Sequence, residues 1–342
     1  MAPSKTSTIM KWVGYATAIL SLIAGIGAIE KTISGRLEAG RKIDTLLSSE
    51  AIELKGQDYW SAWRNLEQAS RIDPDSAKVH AAQETLAMEW LENIRVREDE
   101  KFSDIAEKLE PVLMRGAAAE KSASRQADLL AHVGWSYFLR SREGRGGLDP
   151  AGPYAEAVQK DANNPYAQAM WGHWILWSHG DLTDAEHHFT LALASHRRQD
   201  YVRQLQLSAL MNIHDDPEEE EVIRIANAMR IGQETVDKDV RSRIFSIYYT
   251  RLLPTRASTP KFINAVAPAE HLDTFLWLFE KDNLDESGID LRSYYLATLE
   301  EAAGRREDAL AGYTLLKRKI IGRNGSLLDA VDAGVKRLSG AQ

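Results

Sequence analysis

Apolar residues follow two different patterns along this chain. Residues 12–29, WVGYATAILSLIAGIGAI, carry no charged side chain over 18 positions, whereas most of the chain after residue 50 places apolar side chains at intervals of three and four. The first pattern is apolar on every face of a helix, and the second is apolar on one face only. The strict alternation typical of strands is almost absent. The sequence therefore predicts an all-α protein with two kinds of helix.

The uncharged run predicts a single membrane-spanning helix. As a helix, residues 12–29 would be about 27 Å long, which is close to the thickness of a hydrocarbon core. A short polar tail at residues 1–11 would precede it, and a juxtamembrane helix or linker at residues 30–49 would follow. A cleaved signal peptide is the alternative, but the length of the run and the bulky Ile26 near its end favour a retained anchor.

Basic residues on both sides of this segment bear on its orientation. Lys5 and Lys11 precede it, and a larger set follows: Lys31, Arg36, Arg41 and Lys42. The positive-inside comparison favours, by a narrow margin, a cytoplasmic location for the part that follows the anchor. A positive N-terminal tail by itself would instead hold the N-terminus inside and export the rest, so the extracytoplasmic side stays open.

Small residues recur four positions apart within the same segment. Gly14 and Ala18 form one such pair, and Ser21 and Gly25 form another. This spacing allows two membrane helices to approach closely, although small residues are also common in transmembrane helices generally. A homodimer formed through the membrane helix is therefore one prediction for the assembly of this chain.

Three later segments share one order of small and bulky side chains. The first is GQDYWSAWRNLEQASRIDPDS, the second begins its matching helix after Gly180, and the third does so after Gly304. Their matching positions are Tyr59, Ala62, Leu66, Ala69 and Pro74; Ala185, Phe189 and Ala192; and Ala309 and Tyr313, with Leu296 and Ala297 in the preceding helix. Small residues at these positions let two helices cross closely, and the proline ends a helix.

This order resembles the second helix of a tetratricopeptide repeat (TPR). The resemblance covers residues 50–203 and 288–342, with some degenerate members, whereas residues 204–287 are helical by pattern without a clear repeat. It implies an α-solenoid of degenerate TPR-like helical hairpins and a protein partner bound on the repeat surface. Within the second segment, Thr183 and Glu186 have the spacing of a capping box, which predicts that Thr183 caps the helix.

Tryptophans recur at three-residue spacing in two of these segments. Trp171, Trp174 and Trp177 would lie along one side of a helix, and Trp60 and Trp63 would do the same in the first segment. Most tryptophans at such spacing pack between helices, but large aromatic side chains also anchor protein partners. These five residues are the predicted partner-binding candidates.

Composition narrows the chemistry. The absence of cysteine excludes disulfides and thiolate ligands or nucleophiles, and the net charge of −8 with scattered basic residues argues against a nucleic-acid partner. No cofactor motif is present. His173, His187 and His188 are weak candidates for a metal site, but adjacent helical residues point about 100° apart and no zinc-protease spacing occurs.

Together these features predict a non-enzymatic, membrane-anchored scaffold or adaptor. One form of this prediction makes the protein a subunit of a membrane complex. Tethering would raise the effective concentration of a partner held at the same membrane. The alternative is a metal- or small-molecule-dependent enzyme or sensor that uses the histidines with Asp181 or Asp184 at a pocket between helices.

Overall fold

The computed structural model describes residues 36–340, except 95, 214–215, 237, 253–261, 265, 280–285 and 323–324. The predicted membrane segment at residues 12–29, with its small residues Gly14, Ala18, Ser21 and Gly25, lies outside the described residues. Among the helices that the structure does describe, none combines the length and the apolar character needed to cross a membrane.

The described residues form helices joined by short connections, and they divide into two compact units. The division falls between Pro150 and Ala151, inside the range 50–203 that the sequence assigned to repeats. The helices of the N-terminal unit are α1 (36–55), α2 (Tyr59–Ile72), α3 (Ala77–Asn93), α4 (Phe102–Ala119) and α5 (Ala123–Arg142).

The C-terminal unit contains the remaining helices. Its first five are α6 (Ala151–Lys160), α7 (Pro165–Trp177), α8 (Leu182–Ala194), α9 (Gln199–Ile213) and α10 (Asp216–Ile231). The others are α11 (Lys238–Arg251), α12 (Pro268–Phe279), α13 (Glu286–Ala302), α14 (Arg306–Ile320) and α15 (Ser326–Ser339). Helices that follow one another pack as antiparallel neighbours in the pairs α7 with α8, α13 with α14 and α14 with α15.

The residues that carry the repeat pattern form the contacts between paired helices. Their side chains are all at most 3% exposed: Tyr59, Ala62, Leu66 and Ala69 on α2; Ala185, Phe189 and Ala192 on α8; and Ala309, Tyr313 and Leu316 on α14. Small side chains at these positions allow close helix crossing, and the bulky ones fill the space beside the crossing. The predicted helical hairpins are confirmed for these three segments.

The cap of α8 differs from the prediction. Asp181, and not Thr183, is the N-cap residue, and its Oδ1 accepts hydrogen bonds from the backbone nitrogens of Thr183 at 2.8 Å and Asp184 at 3.2 Å. An ionised carboxylate is a stronger acceptor than a hydroxyl and also favours the positive end of the helix, so it displaces the threonine from that role. Hydrogen bonds from Asp184 and Thr183 lower the pKa of Asp181 accordingly.

Two glycines are required by the geometry of the hairpins. A Cβ at Gly172 on α7 would lie 3.1 Å from the carbonyl oxygen of Ala185 and 3.2 Å from the side chains of His188 and Phe189, so this glycine permits α8 to approach. Gly304 ends α13 with φ +78°, a left-handed conformation that residues with a Cβ adopt at a cost.

Candidate partner-binding surfaces

Helix α7 of the C-terminal unit packs against α6, α8 and α9, and most of its residues are buried. Its buried side is continuous and includes Tyr166, Ala169, Met170 and Leu176. The indoles at positions 171, 174 and 177 remain partly accessible, with Trp171 and Trp174 half-buried and Trp177 39% exposed. We call Trp171, Trp174 and Trp177 the α7 indole row.

The side chains beside this row belong to the α7–α8 hairpin. The ring of His188 lies 4.7 Å from that of Trp171, and His188 Nδ1 is 2.5 Å from Gln168 Oε1, which fixes the imidazole. The ring of His173 stacks on Trp177 at 6.4 Å. The row is therefore held in place on one side by histidine rings and remains partly open on the other.

The three candidate histidines do not converge. His173 is 3% exposed inside the hairpin, His187 is exposed, and His188 is half-buried. Burial is the main cause of a lowered pKa for His188, with a smaller contribution from the charge of His187. Across the described residues, no three His, Cys, Asp or Glu side chains are grouped so that they could hold a metal ion.

Carboxylates dominate one end of α8. Burial and then the charge of Glu221 raise the pKa of Glu186, which shows that the starts of α8 and α10 are close enough for their charges to interact. Arg224 pairs with Glu220 at 3.6 Å and Glu221 at 2.9 Å. With Asp181 and Asp184 on α8, this edge of the C-terminal unit carries an excess of negative charge.

The other two candidate tryptophans occupy a different environment in the N-terminal unit. Trp63 is 4% exposed and Trp60 is half-buried, and both rings contact Trp90, at centroid distances of 6.4 and 5.1 Å. Cations of the same chain cover them, with Arg97 4.7 Å above Trp60 and Lys108 5.1 Å above Trp63.

The indole nitrogens of this cluster are also satisfied internally. Trp60 Nε1 donates to Glu100 at 3.0 Å, and Trp63 Nε1 donates to Glu67 at 2.6 Å. A tryptophan whose ring faces and N–H are already engaged has little left to offer a partner. The structure thus makes Trp60 and Trp63 part of the packing between α2, α3 and the start of α4.

One concave feature was missed by sequence reasoning. A cavity of about 150 Å³ lies between α9, α10 and α11, and Asp200 and Arg203 are among its lining residues. It falls at the edge of the range 204–287, which shows no repeat, so no pattern drew attention to it. The available signal was a charged pair three residues apart on one helical face, followed by the apolar Leu207.

Comparison with known proteins finds similarity among solved structures. No protein-family model and no curated protein matches the chain. Among solved structures, it is similar to a tetratricopeptide repeat protein from Parabacteroides merdae, with 12% identity, a TM-score of 0.41 and coverage of 87% of this chain and 99% of that one. It is also similar to Nro1, a hypoxic regulator of sterol synthesis and nuclear import adaptor, with 13% identity, a TM-score of 0.39 and coverage of 86% and 93%.

The kind of fold follows from the chain's own helices. The described residues are all-helical, and the hairpins built on α2, α8 and α14 bury the small and bulky positions of a TPR-like repeat. These hairpins give the described residues a TPR-like helical fold.

Proposed function

We propose that this protein is a non-enzymatic scaffold or adaptor that binds a protein partner through the α7 indole row. The supporting observation is the partial exposure of three indoles on a helix that packs against α6, α8 and α9. Tryptophan is among the residues that contribute most to binding energy at protein interfaces, because its large rigid ring loses little entropy when it is buried. A partner segment with apolar side chains would cover the row.

We also propose that residues 12–29 anchor the chain in a membrane, which would make the repeats a membrane-tethered module and a candidate subunit of a membrane complex. The 18-residue uncharged run supports this proposal. Alkaline extraction of membranes from cells expressing the full chain tests it. Retention in the pellet, with loss of retention after deletion of residues 12–29, is expected, and release of the intact chain would contradict it.

Two further parts of this proposal concern orientation and assembly. The repeats are placed on the cytoplasmic side, and two copies associate through Gly14, Ala18, Ser21 and Gly25. A reporter fused after Gln342 that is active only in the cytoplasm tests the first. Crosslinking of the full chain in membranes tests the second, and crosslinks that persist after Gly14→Leu and Gly25→Leu would contradict dimerisation through these faces.

The partner surface is tested by site-specific photo-crosslinking. A photoreactive amino acid replaces Trp174 in one variant and the 70% exposed Leu315 on α14 in a matched control. We expect a discrete crosslinked protein with the first variant and not with the second. Equal crosslinking at both positions would indicate non-specific contact and would contradict the assignment of the surface.

A further inference from the structure

The cavity between α9, α10 and α11 is apolar at its floor and polar at its mouth. Its floor consists of Leu207, Met229 and Val240, which are 0, 3 and 8% exposed. Its mouth consists of exposed polar side chains, and the remaining walls are half-buried. The mouth residues are Asp200, Gln204 and Thr235, and the wall residues are Arg203 and Val236. A ligand that matches this arrangement places an apolar group on the floor of the cavity and a polar group at its mouth.

The positive charge at the cavity is already neutralised. Arg203 donates through Nε and Nη2 to the two carboxylate oxygens of Glu234, at 3.2 Å each, and through Nη1 to Gln206 at 3.0 Å. Such a bidentate pair leaves the guanidinium poorly suited to a second anion. An anionic ligand would have to displace Glu234.

The negative charge of Asp200 at the mouth is not paired in the way that the charge of Arg203 is. Asp200 lies on the first turn of α9, and no described residue forms an ion pair or hydrogen bond with its carboxylate. The charged residues that line the cavity are Asp200 and Arg203, and because Arg203 is paired with Glu234, the described lining contributes the single negative charge of Asp200. A cation is therefore the polar group that this mouth favours.

We propose that this cavity binds a primary ammonium group attached to a compact apolar group, with the apolar group on the floor and the ammonium at Asp200. A dry apolar cavity of about this volume holds a group the size of benzene, which is also close to the size of a leucine side chain. Two sources share this chemistry: a small aliphatic amine, and the free amino terminus of a polypeptide whose first residue is apolar. This site is separate from the α7 indole row, and its test does not depend on the proposed function.

Calorimetric titration of the full chain in detergent with three ligands of one shape tests the charge preference. Isoamylamine, isoamyl alcohol and isovalerate are cationic, neutral and anionic, respectively, near neutral pH. We expect isoamylamine to bind with a dissociation constant on the order of 1 mM and about threefold to tenfold more tightly than the alcohol, with isovalerate weakest. Equal binding of the amine and the alcohol, or no saturation by the amine at about 50 mM, would overturn the proposal.

Matched variants locate the site. Asp200→Asn is expected to make the affinities for the amine and the alcohol equal, whereas Asp308→Asn, which changes an exposed first-turn carboxylate on α14, leaves the preference intact. Val236→Phe on the cavity wall is expected to abolish binding of both ligands without loss of the folded state, as checked by circular dichroism. A preference unchanged by Asp200→Asn would contradict the assignment.

A second pair of ligands distinguishes the two sources. Leucinamide carries an α-ammonium beside its side chain at about pH 6, and N-acetyl-leucinamide does not. Binding of leucinamide together with isoamylamine identifies a free amino terminus as the ligand, and binding of isoamylamine alone identifies a small amine. N-acetyl-leucinamide binding as tightly as leucinamide would contradict a site for ammonium groups.

Discussion

Two tryptophan clusters with the same three-residue spacing have opposite environments. In the N-terminal unit, Trp60 and Trp63 pack on Trp90 and carry Arg97 and Lys108 over their rings. In the C-terminal unit, the α7 indole row stays partly exposed beside two histidine rings. Helical spacing alone places aromatic rings on one face and does not say what covers them. The two clusters differ in exposure because cations and neighbouring helices from distant parts of the same chain cover one of them.

The largest expected difference between the clusters is in folding stability. Trp63→Ala removes a 4% exposed indole and is expected to lower the free energy of unfolding by about 3–5 kcal/mol. Trp177→Ala removes a 39% exposed indole and is expected to cost about 1 kcal/mol or less. Urea denaturation of both variants measures the two values. A larger loss for Trp177→Ala than for Trp63→Ala would reverse the comparison.

Histidines of the C-terminal unit show the same contrast between enclosed and exposed side chains. His271 is fully buried with Nδ1 3.0 Å from the Tyr248 hydroxyl, and burial lowers its pKa from 6.5 to about 4. Between these values the unfolded chain binds the proton and the folded chain does not, so this histidine favours the folded state above pH about 6.5. That contribution is lost as the pH falls towards about 4.

The expected loss over this window is at most about 3 kcal/mol. His271→Gln is expected to flatten the dependence of unfolding free energy on pH by this amount, measured by urea denaturation at several pH values. His196→Gln, at an exposed position, serves as the control and should change the slope less than His271→Gln does. A slope that is the same in the His271→Gln protein and the native protein would contradict the burial of a neutral imidazole.

A moderate effect is expected from a substitution at Gly172, where α7 and α8 cross closely. Gly172→Val places side-chain atoms against the Ala185 carbonyl and the side chains of His188 and Phe189, and we expect a loss of about 2 kcal/mol. Gly152→Val on α6, where an added Cβ meets nothing within 4 Å, is expected to change stability by less than about 1 kcal/mol. Thermal unfolding compares the two variants, and equal losses would show that the close crossing is not required.

The smallest effect is expected from removing the cation that lies over the buried indole of Trp63. Lys108→Gln removes the cation 5.1 Å from the Trp63 ring and its 3.8 Å ion pair with Glu67, and we expect a loss of about 1 kcal/mol or less. Because the ion pair is partly exposed, the difference should shrink as salt is added. A difference that grows with salt would contradict an electrostatic role for Lys108.

The sequence predicted the repeated parts of the fold better than the surroundings of its candidate sites. Ala62, Leu66, Ala185 and Phe189 follow from a local order of small and bulky residues, because each hairpin is made from neighbouring segments. The cap of α8 was assigned to Thr183 because a hydroxyl and a glutamate had capping-box spacing, whereas the stronger acceptor Asp181 lies two residues earlier.

Local sequence patterns do not predict which side chains are covered by distant segments of the chain. Glu100 and Lys108 lie 40 and 45 positions from Trp60 and Trp63, and no spacing rule connects them. The cavity at Asp200 arises in the same way, since three helices without repeat character enclose it. Those contacts depend on how helices pack after each has formed, which single-segment periodicity does not encode.

The most direct test is the affinity of the crosslinked partner for the purified native chain, one double variant and one control variant. If the α7 indole row binds the partner, Trp171→Ala and Trp174→Ala together should weaken binding by at least about 30-fold, equivalent to about 2 kcal/mol, while Leu315→Ala changes it less than about twofold. Far-ultraviolet circular dichroism confirms that each variant is folded. An unchanged affinity in the folded double variant would contradict the central claim that the partner binds at these indoles.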